Sequence, residues 1–226
     1  MKFKNLHLLS ILVFFLVLII SSCSKDDVTA PTIVLTGSSS QVIIYKSSTS
    51  YIEPGFTATD ETDGDITANV VVTGTVDVNS VGTYSLVYSV TDQAGNSFSV
   101  TRTVVIDANP LFVGNFSHID IIGGVTYPAT LDTLAASFTT KNKILFKRFS
   151  GFSNAAIFAN LNKSAVTIPA QTYYCGDFPS DTIRTFQTIG TTSYFTVVDS
   201  IATMVLNYSI IKGTDTIVCS STYTKQ

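Results

Sequence analysis

The sequence predicts an all-β protein of two modules: a β-sandwich over residues 31–107 and an antiparallel barrel or sandwich of about eight strands over 111–226. Three observations carry this reading. Short strand-like runs recur with turn residues between them along almost the whole chain. Charge is sparse at 13%, while Ser, Thr, Val and Ile are frequent, which suits strands whose outer faces are hydroxylic rather than ionic. Beyond the first two dozen residues no long stretch places apolar side chains at helical spacing.

The chain opens with Lys2 and Lys4, an apolar run over residues 8–20 broken only by Ser10, and then Ser21, Ser22 and Cys23. A positive head, a short apolar run and a small-residue exit make a secretory signal. The run is shorter than the roughly 20 residues a spanning helix needs. Ile20-Ser21-Ser22-Cys23 resembles a bacterial lipobox, and Ser24-Lys25-Asp26-Asp27 resembles the sorting signal that carries Bacteroidetes lipoproteins to the outer face of the outer membrane. The resemblance implies a signal peptide over 1–22, a tether over 23–30 and acylation of Cys23. The protein would then be held in the outer membrane by lipid and face the exterior. Several acyl chains, at about 0.8 kcal/mol per buried CH₂, suffice for stable anchoring.

Removing the signal leaves about 200 residues, enough for one or two domains. The formal net charge of the whole chain is −3. Loss of the two leader lysines makes the remainder mildly more acidic. No basic footprint points to nucleic acid, and no cofactor motif is present. Once Cys23 is acylated, Cys175 and Cys219 remain in an exported protein. They are either a disulfide pair closing a long loop or two separate buried thiols. With His118 as the one histidine after the leader, they fall short of a zinc ligand set.

In the first module strands are expected at 32–36, 41–45, 56–59, 68–73, 83–91 and 97–106. Tyr84, Leu86, Tyr88 and Val90 share one face. Asp92-Gln93-Ala94-Gly95-Asn96 turns the chain, and Phe98, Val100, Val104 and Ile106 run back with matching parity. Arg102 shares that inward parity, so the strand is expected to lean on an edge there or the arginine to snorkel. Glu53-Pro54-Gly55, Ala58-Thr59-Asp60, Asp63-Gly64-Asp65-Ile66-Thr67, Gly82-Thr83-Tyr84, Tyr88-Ser89-Val90-Thr91-Asp92, Gly95-Asn96 and Arg102-Thr103-Val104 together resemble the bacterial immunoglobulin-like domain of cell-surface proteins and some insecticidal crystal toxins. The resemblance implies a sandwich used as a spacer or accessory, without catalytic residues. Asp60, Asp63, Asp65 and Asp92, with Glu61 nearby, form a calcium candidate by their clustered carboxylates. The bland alternative is turn chemistry, since no Asp-x-Asp-x-Asp-Gly loop is present.

Asn109-Pro110 marks the boundary, where proline stops the preceding strand. Strands are then expected at 113–121, 135–140, 143–149, 156–160, 165–168, 182–189, 194–198, 202–210 and 217–223. Lys141-Asn142, Asn162-Lys163-Ser164 and Lys212-Gly213-Thr214-Asp215 form tight links. Links this short leave no room for crossover helices and imply an antiparallel meander. Lys143-Ile144-Leu145-Phe146, Ala156 to Asn160, the run from Ala165 to Gln171, Leu206-Asn207-Tyr208-Ser209 and Tyr223-Thr224-Lys225 resemble the lipocalin-like β-barrel modules that end many Bacteroidetes surface lipoproteins. A barrel of this size is either filled by side chains or holds one small ligand. Phe138, Phe146, Phe149, Phe158, Phe186, Tyr194 and Phe195 are enough to fill it.

No pair of acids stands out for hydrolysis. His118 lies in an alternating strand, no Gly-x-Ser-x-Gly turn presents a nucleophile, and Gly123-Gly124 is not followed by a phosphate-binding Gly-Lys. An enzyme is not expected. Sugar sites set aromatic faces beside orienting polar groups. Tyr127 and Tyr194 lie near expected loops, but the best such cluster is Tyr173-Tyr174-Cys175-Gly176-Asp177-Phe178, with Gln171 and Asp181 beside it. Tyr173, Tyr174, Asp177 and Gln171 are therefore the ligand candidates. The expected function is non-catalytic binding of extracellular material, glycan first, by the second module. The alternatives are an assembly component of a surface complex or a carrier of a small apolar ligand.

Overall fold

The computed structural model describes residues 26–149, 152, 156–175, 182–190 and 192–226, the side chains of residues 174, 175 and 182 excepted. Residues 1–22, where a signal segment is expected, and Cys23 lie outside the described residues.

In the first module β1 (Thr32–Leu35) pairs antiparallel with β3 (Phe56–Asp60), and β3 takes the two-residue β4 (Gly64–Asp65). Facing them is a four-stranded sheet built from β2 (Ser40–Ile44), β5 (Val71–Thr73), β6 (Gly82–Thr91) and β7 (Ser97–Asp107), in the order β2-β7-β6-β5. Strands β2 and β7 run parallel, and the rest of the sheet is antiparallel. The inward positions Ile33, Ala58, Leu86, Tyr88, Val90, Val104 and Ile106 are buried between the two sheets. The run 68–73 begins as a 3-10 turn at Thr67–Asn69, and only Val71–Thr73 is strand. Thr67 explains this: its hydroxyl accepts from the Ala58 amide at 2.9 Å and its amide donates to Asp65 Oδ1 at 2.9 Å. Both bonds draw the backbone out of the extended path.

The second module is a closed up-and-down barrel. Its strands are β8 (Gly114–Ile122), the short β9 (Val125–Thr126), β10 (Thr130–Ala136), β11 (Lys143–Phe146), β12 (Phe158–Asn162), β13 (Ala165–Thr167), β14 (Gln171–Cys175), β15 (Thr182–Thr188), β16 (Tyr194–Val198), β17 (Ile201–Lys212) and β18 (Asp215–Lys225). Ala165 pairs with Tyr194, and Gln171 with Phe186. The segments β13 and β14 thus make one bent stave and β15 and β16 the next, giving an eight-stave antiparallel barrel. Pairing of β18 with β8 closes it.

Two staves depart from the expected positions. Strand β10 occupies 130–136 rather than 135–140, and β14 occupies 171–175, which read as a loop. In each, a polar side chain stands where an apolar one was looked for. Asp132 faces inward on β10, 2% exposed, and its Oδ1 accepts from the amides of Thr133 at 2.6 Å and Arg148 at 2.9 Å. Gln171 does the corresponding work on β14.

Rings fill the barrel. Phe149 packs at 5.1 Å from Phe146, 5.8 Å from Phe186 and 4.8 Å from Tyr208, and Phe146 meets Tyr223 at 5.2 Å. All five are buried, and the offset and edge-on geometries are those aromatic pairs prefer. Among the described residues, these side chains take up interior space that carriage of an apolar molecule would need. Phe138 and Tyr194, expected among the fillers, are instead exposed.

The boundary between modules is a buried joint. Asn142, in the left-handed region at φ 56°, accepts from the Ala108 amide through Oδ1 at 2.9 Å and donates from Nδ2 to the Ile106 carbonyl at 3.0 Å. Its own amide reaches Asp107 Oδ1 at 3.3 Å. Asn109 Nδ2 donates to the Thr140 carbonyl at 3.3 Å, and Lys141 pairs with Asp107 at 3.4 Å. The last strand of the sandwich is thereby stitched to the β10–β11 turn. Alongside, the Lys163 amide donates to the Val81 carbonyl at 2.8 Å, Lys46 Nζ to the Val197 carbonyl at 3.1 Å, and Tyr45 packs edge-on against Phe195 at 5.7 Å.

Candidate functional site

The inward arginine of β7 is the key to the first module. Arg102 is fully buried, neither at an edge nor snorkelling. Its guanidinium donates to the carbonyls of Ser38 at 2.6 Å, Thr36 at 3.0 Å and Gly55 at 3.1 Å, and to Tyr88 Oη at 3.3 Å. It also pairs with Glu53 Oε1 at 3.1 Å. Burial of a cation is tolerable only with such saturation. Glu53 in turn accepts from Tyr88 and, at 3.0 Å, from Tyr51. Burial alone would raise the Glu53 carboxyl. The hydrogen bonds from Tyr88, Tyr51 and the Gly55 amide, with the charge of Arg102, outweigh it and hold the group below its ordinary value. Burial and the same carboxylate push Tyr51 up to about 12, so its hydroxyl stays a donor.

Above this network lies a cleft of about 600 Å³ between the segment after β2 and the segment leading into β6. Tyr51, Glu53, Thr49, Ser50, Asp77 and Asn79 supply its polar lining, and Val72, Val76, Val78 and Leu86 its apolar floor. Gly74 allows the wall to close: at φ +97° its backbone passes so near the next strand that a Cβ would sit 2.2 Å from the Ser85 carbonyl. The nearby Lys46 ammonium is committed to the Val197 carbonyl at 3.1 Å. The groups facing the cleft are thus carboxylates, hydroxyls and an amide, a lining that accepts hydrogen bonds from hydroxyls and repels anions.

Residues 33–106 match the family described as bacterial surface protein, Ig-like domain. The first module is a bacterial surface Ig-like domain. Comparison with curated proteins finds no match. Among solved structures the chain is similar to a lipoprotein from Bacteroides thetaiotaomicron, with 21% identity, 87% of this chain and 100% of that one covered, and a TM-score of 0.35. It is also similar to two structures of ZmpB from Clostridium perfringens. One contains CBM51-2 in complex with GlcNAc and INT domains, with 16% identity, 86% and 44% covered, and a TM-score of 0.28. The other contains the M60 catalytic domain with CBM51-1 and CBM51-2, with 15% identity, 87% and 21% covered, and a TM-score of 0.29. Likenesses this loose transfer no site residues.

Beyond the Ig-like domain, the ligand candidates of the barrel are only partly brought together. Gln171 is 8% exposed and spends its amide on backbone. Its Oε1 accepts from the Phe158 amide at 3.0 Å, and its Nε2 donates to the carbonyls of Phe158 at 2.7 Å and Pro169 at 3.2 Å. These bonds make it a structural brace for β12 and β14. Tyr173 donates to the Ala156 carbonyl at 2.8 Å. The Tyr174 side chain and Asp177 lie outside the described residues. Cys219 is a buried free thiol that burial, then Asp120, pushes up to about 11. The register sets Cys175 on β14 opposite Thr182, with β15 and β17 between it and β18, and Cys219 lies opposite Tyr208, further along. A bridge requires Cα atoms within about 7 Å, so this register leaves the pair no geometry for one.

His118 sits inside the barrel, 2% exposed and stacked on Tyr223 at 4.7 Å. Thr130 Oγ1 at 3.0 Å and Asp120 Oδ2 at 3.4 Å both address its Nε2, while Ser221 Oγ donates to Asp120. A nucleophile–base–acid relay needs the hydroxyl and the acid on opposite ring nitrogens. Here both meet one nitrogen, in a position solvent does not reach, so the group is a polar core.

The calcium candidates are regrouped. Asp60 and Asp92 converge, and Asp27 joins them. Asp63 Oδ2 accepts from the Gln93 amide at 2.7 Å, and Asp65 caps Thr67. Asp27 had read only as part of a sorting signal, and nothing in its neighbours ties it to residues so far along the chain. Tyr51, Asp77 and Asn79 were likewise missed, although Tyr51-x-Glu53 with a downstream inward arginine was a usable signal.

Proposed function

We propose that this is a cell-surface binding protein, anchored by lipid on Cys23 after removal of residues 1–22, held by a tether over 23–30 in the outer membrane and facing outward, whose ligand is a neutral glycan bound without catalysis. The surface-type Ig-like domain supports the location. The lining of the cleft carries the ligand class: carboxylate, hydroxyl and amide groups over an apolar floor match a polyol's hydroxyl rim and C–H face. Its volume of about 600 Å³ falls within the ~300–1,000 Å³ of small-molecule sites. The test is a glycan array probed with the acylated chain in detergent. Asn79→Ala and Thr49→Ala, both exposed substitutions, are expected to weaken retention by about five- to tenfold each, the worth of one hydrogen bond. Failure to retain any polysaccharide, or retention indifferent to both substitutions, removes the reading.

A second reading, membership of a surface assembly, is favoured by one observation. Ile119 and Ile121 on β8 and Leu131 on β10 are all exposed on the outer side of the barrel. An apolar patch of this kind fits a protein partner, and co-purification from intact membranes tests it.

A further inference from the structure

The geometry points to a divalent-cation site, best suited to calcium, formed by Asp27, Asp60 and Asp92, that clasps the lipid tether to the Ig-like domain. Each residue contributes a carboxylate oxygen, and the three lie within 4.8 Å of one another. Oxygens bound to one Ca²⁺ at about 2.3–2.6 Å stand up to about 5 Å apart, so this spacing fits ligation by a single ion. Asp60 and Asp92 are more than nine-tenths buried. Asp60 Oδ1 accepts from the amides of Thr62 at 2.8 Å and Asp63 at 3.0 Å. Asp60 Oδ2, buried beside the other two carboxylates, has no hydrogen-bond partner. Such an orphan is costly unless something positive meets it.

Among the described residues no Lys, Arg or His pairs with any of the three acids. Three like charges drawn this close need a counter-ion. The donor set is all oxygen, without His or Cys, which selects a hard cation over zinc. Asp27 stands four residues after Cys23, and its carbonyl accepts from Asn96 Nδ2 at 3.2 Å. Asn96 also binds Asp92, through its amide at 2.8 Å and its side chain at 2.9 Å. The ion therefore fastens Asp27 to the β3 end and to the β6–β7 turn, fixing the Ig-like domain close to its anchor.

The test uses the full chain in detergent, stripped with chelator and then given calcium chloride. The thermal midpoint is expected to rise by about 3 °C or more at about 5 mM Ca²⁺, with half of the effect between about 0.1 and 1 mM, the range of extracellular modules. Asp27→Asn and Asp60→Asn are each expected to raise the half-effect concentration at least tenfold, whereas Asp65→Asn leaves it unchanged. Asp60→Asn keeps Oδ1 for the two amides. Asp27→Asn changes a residue at the edge of the fold, so it reports even if the core substitution unfolds. An unchanged midpoint, an identical response in Asp27→Asn, or a full response to magnesium at the same concentration overturns the proposal.

Discussion

Arg102 and Glu53 make the stability of the Ig-like domain depend on pH in a definite direction. Glu53 is held below its ordinary value of 4.5. Its contribution is therefore fully present above that value and is lost as pH falls below it, toward and through the depressed folded value, leaving the buried guanidinium without its counter-charge. Asp132, whose carboxyl burial pushes up, acts with the opposite sign and gains as pH falls. The clean measurement is thus a difference between two proteins. Melting midpoints taken from about pH 6 to about pH 3 should show Glu53→Gln less stable than the parent at the upper end, with the gap closing toward the lower. A constant gap would mean that the carboxylate's charge contributes nothing. Glu53-Pro54-Gly55 and Arg102 could be quoted as motif residues from the sequence. That the guanidinium would be fully satisfied in the core could not, because three of its partners, at Thr36, Ser38 and Gly55, are backbone carbonyls, and carbonyls carry no residue identity.

Strands whose buried side is wholly apolar could be placed from alternation, as with β6 and β16. Strands β10 and β14 could not, because Asp132 and Gln171 turn inward and satisfy backbone amides and carbonyls of neighbouring segments. A polar residue with a buried backbone partner looks the same in sequence as one in a loop. The aromatic filling was foreseeable in kind, since enough phenylalanines were present, but Phe149 as its centre depends on the register of four staves. Phe149→Ala is expected to destabilise the barrel by about 3–5 kcal/mol, read as a lowered urea midpoint with the slope retained. A loss below about 1 kcal/mol would show that the interior collapses around the gap.

At the scale of the molecule, the sequence marks only a polar module boundary with a proline, yet Asn142 and Asp107 bury it and join the two modules into one body. The unforeseen element was an asparagine in the left-handed region of a remote turn, a conformation asparagine tolerates better than most residues. The parent should therefore unfold in a single calorimetric transition. Asn142→Ala removes two side-chain hydrogen bonds and the favoured positive φ, about 2 kcal/mol together, and should split that transition in two. Two transitions in the parent would show that the joint is weaker than its hydrogen bonds suggest. The pairing of β18 with β8 also bears on life at a crowded surface. A sheet that returns to its own first strand leaves no unpaired rim along that seam for a neighbouring copy to extend. The long, hydroxyl-rich and weakly charged strands of this module can therefore stand at high density without templating fibres.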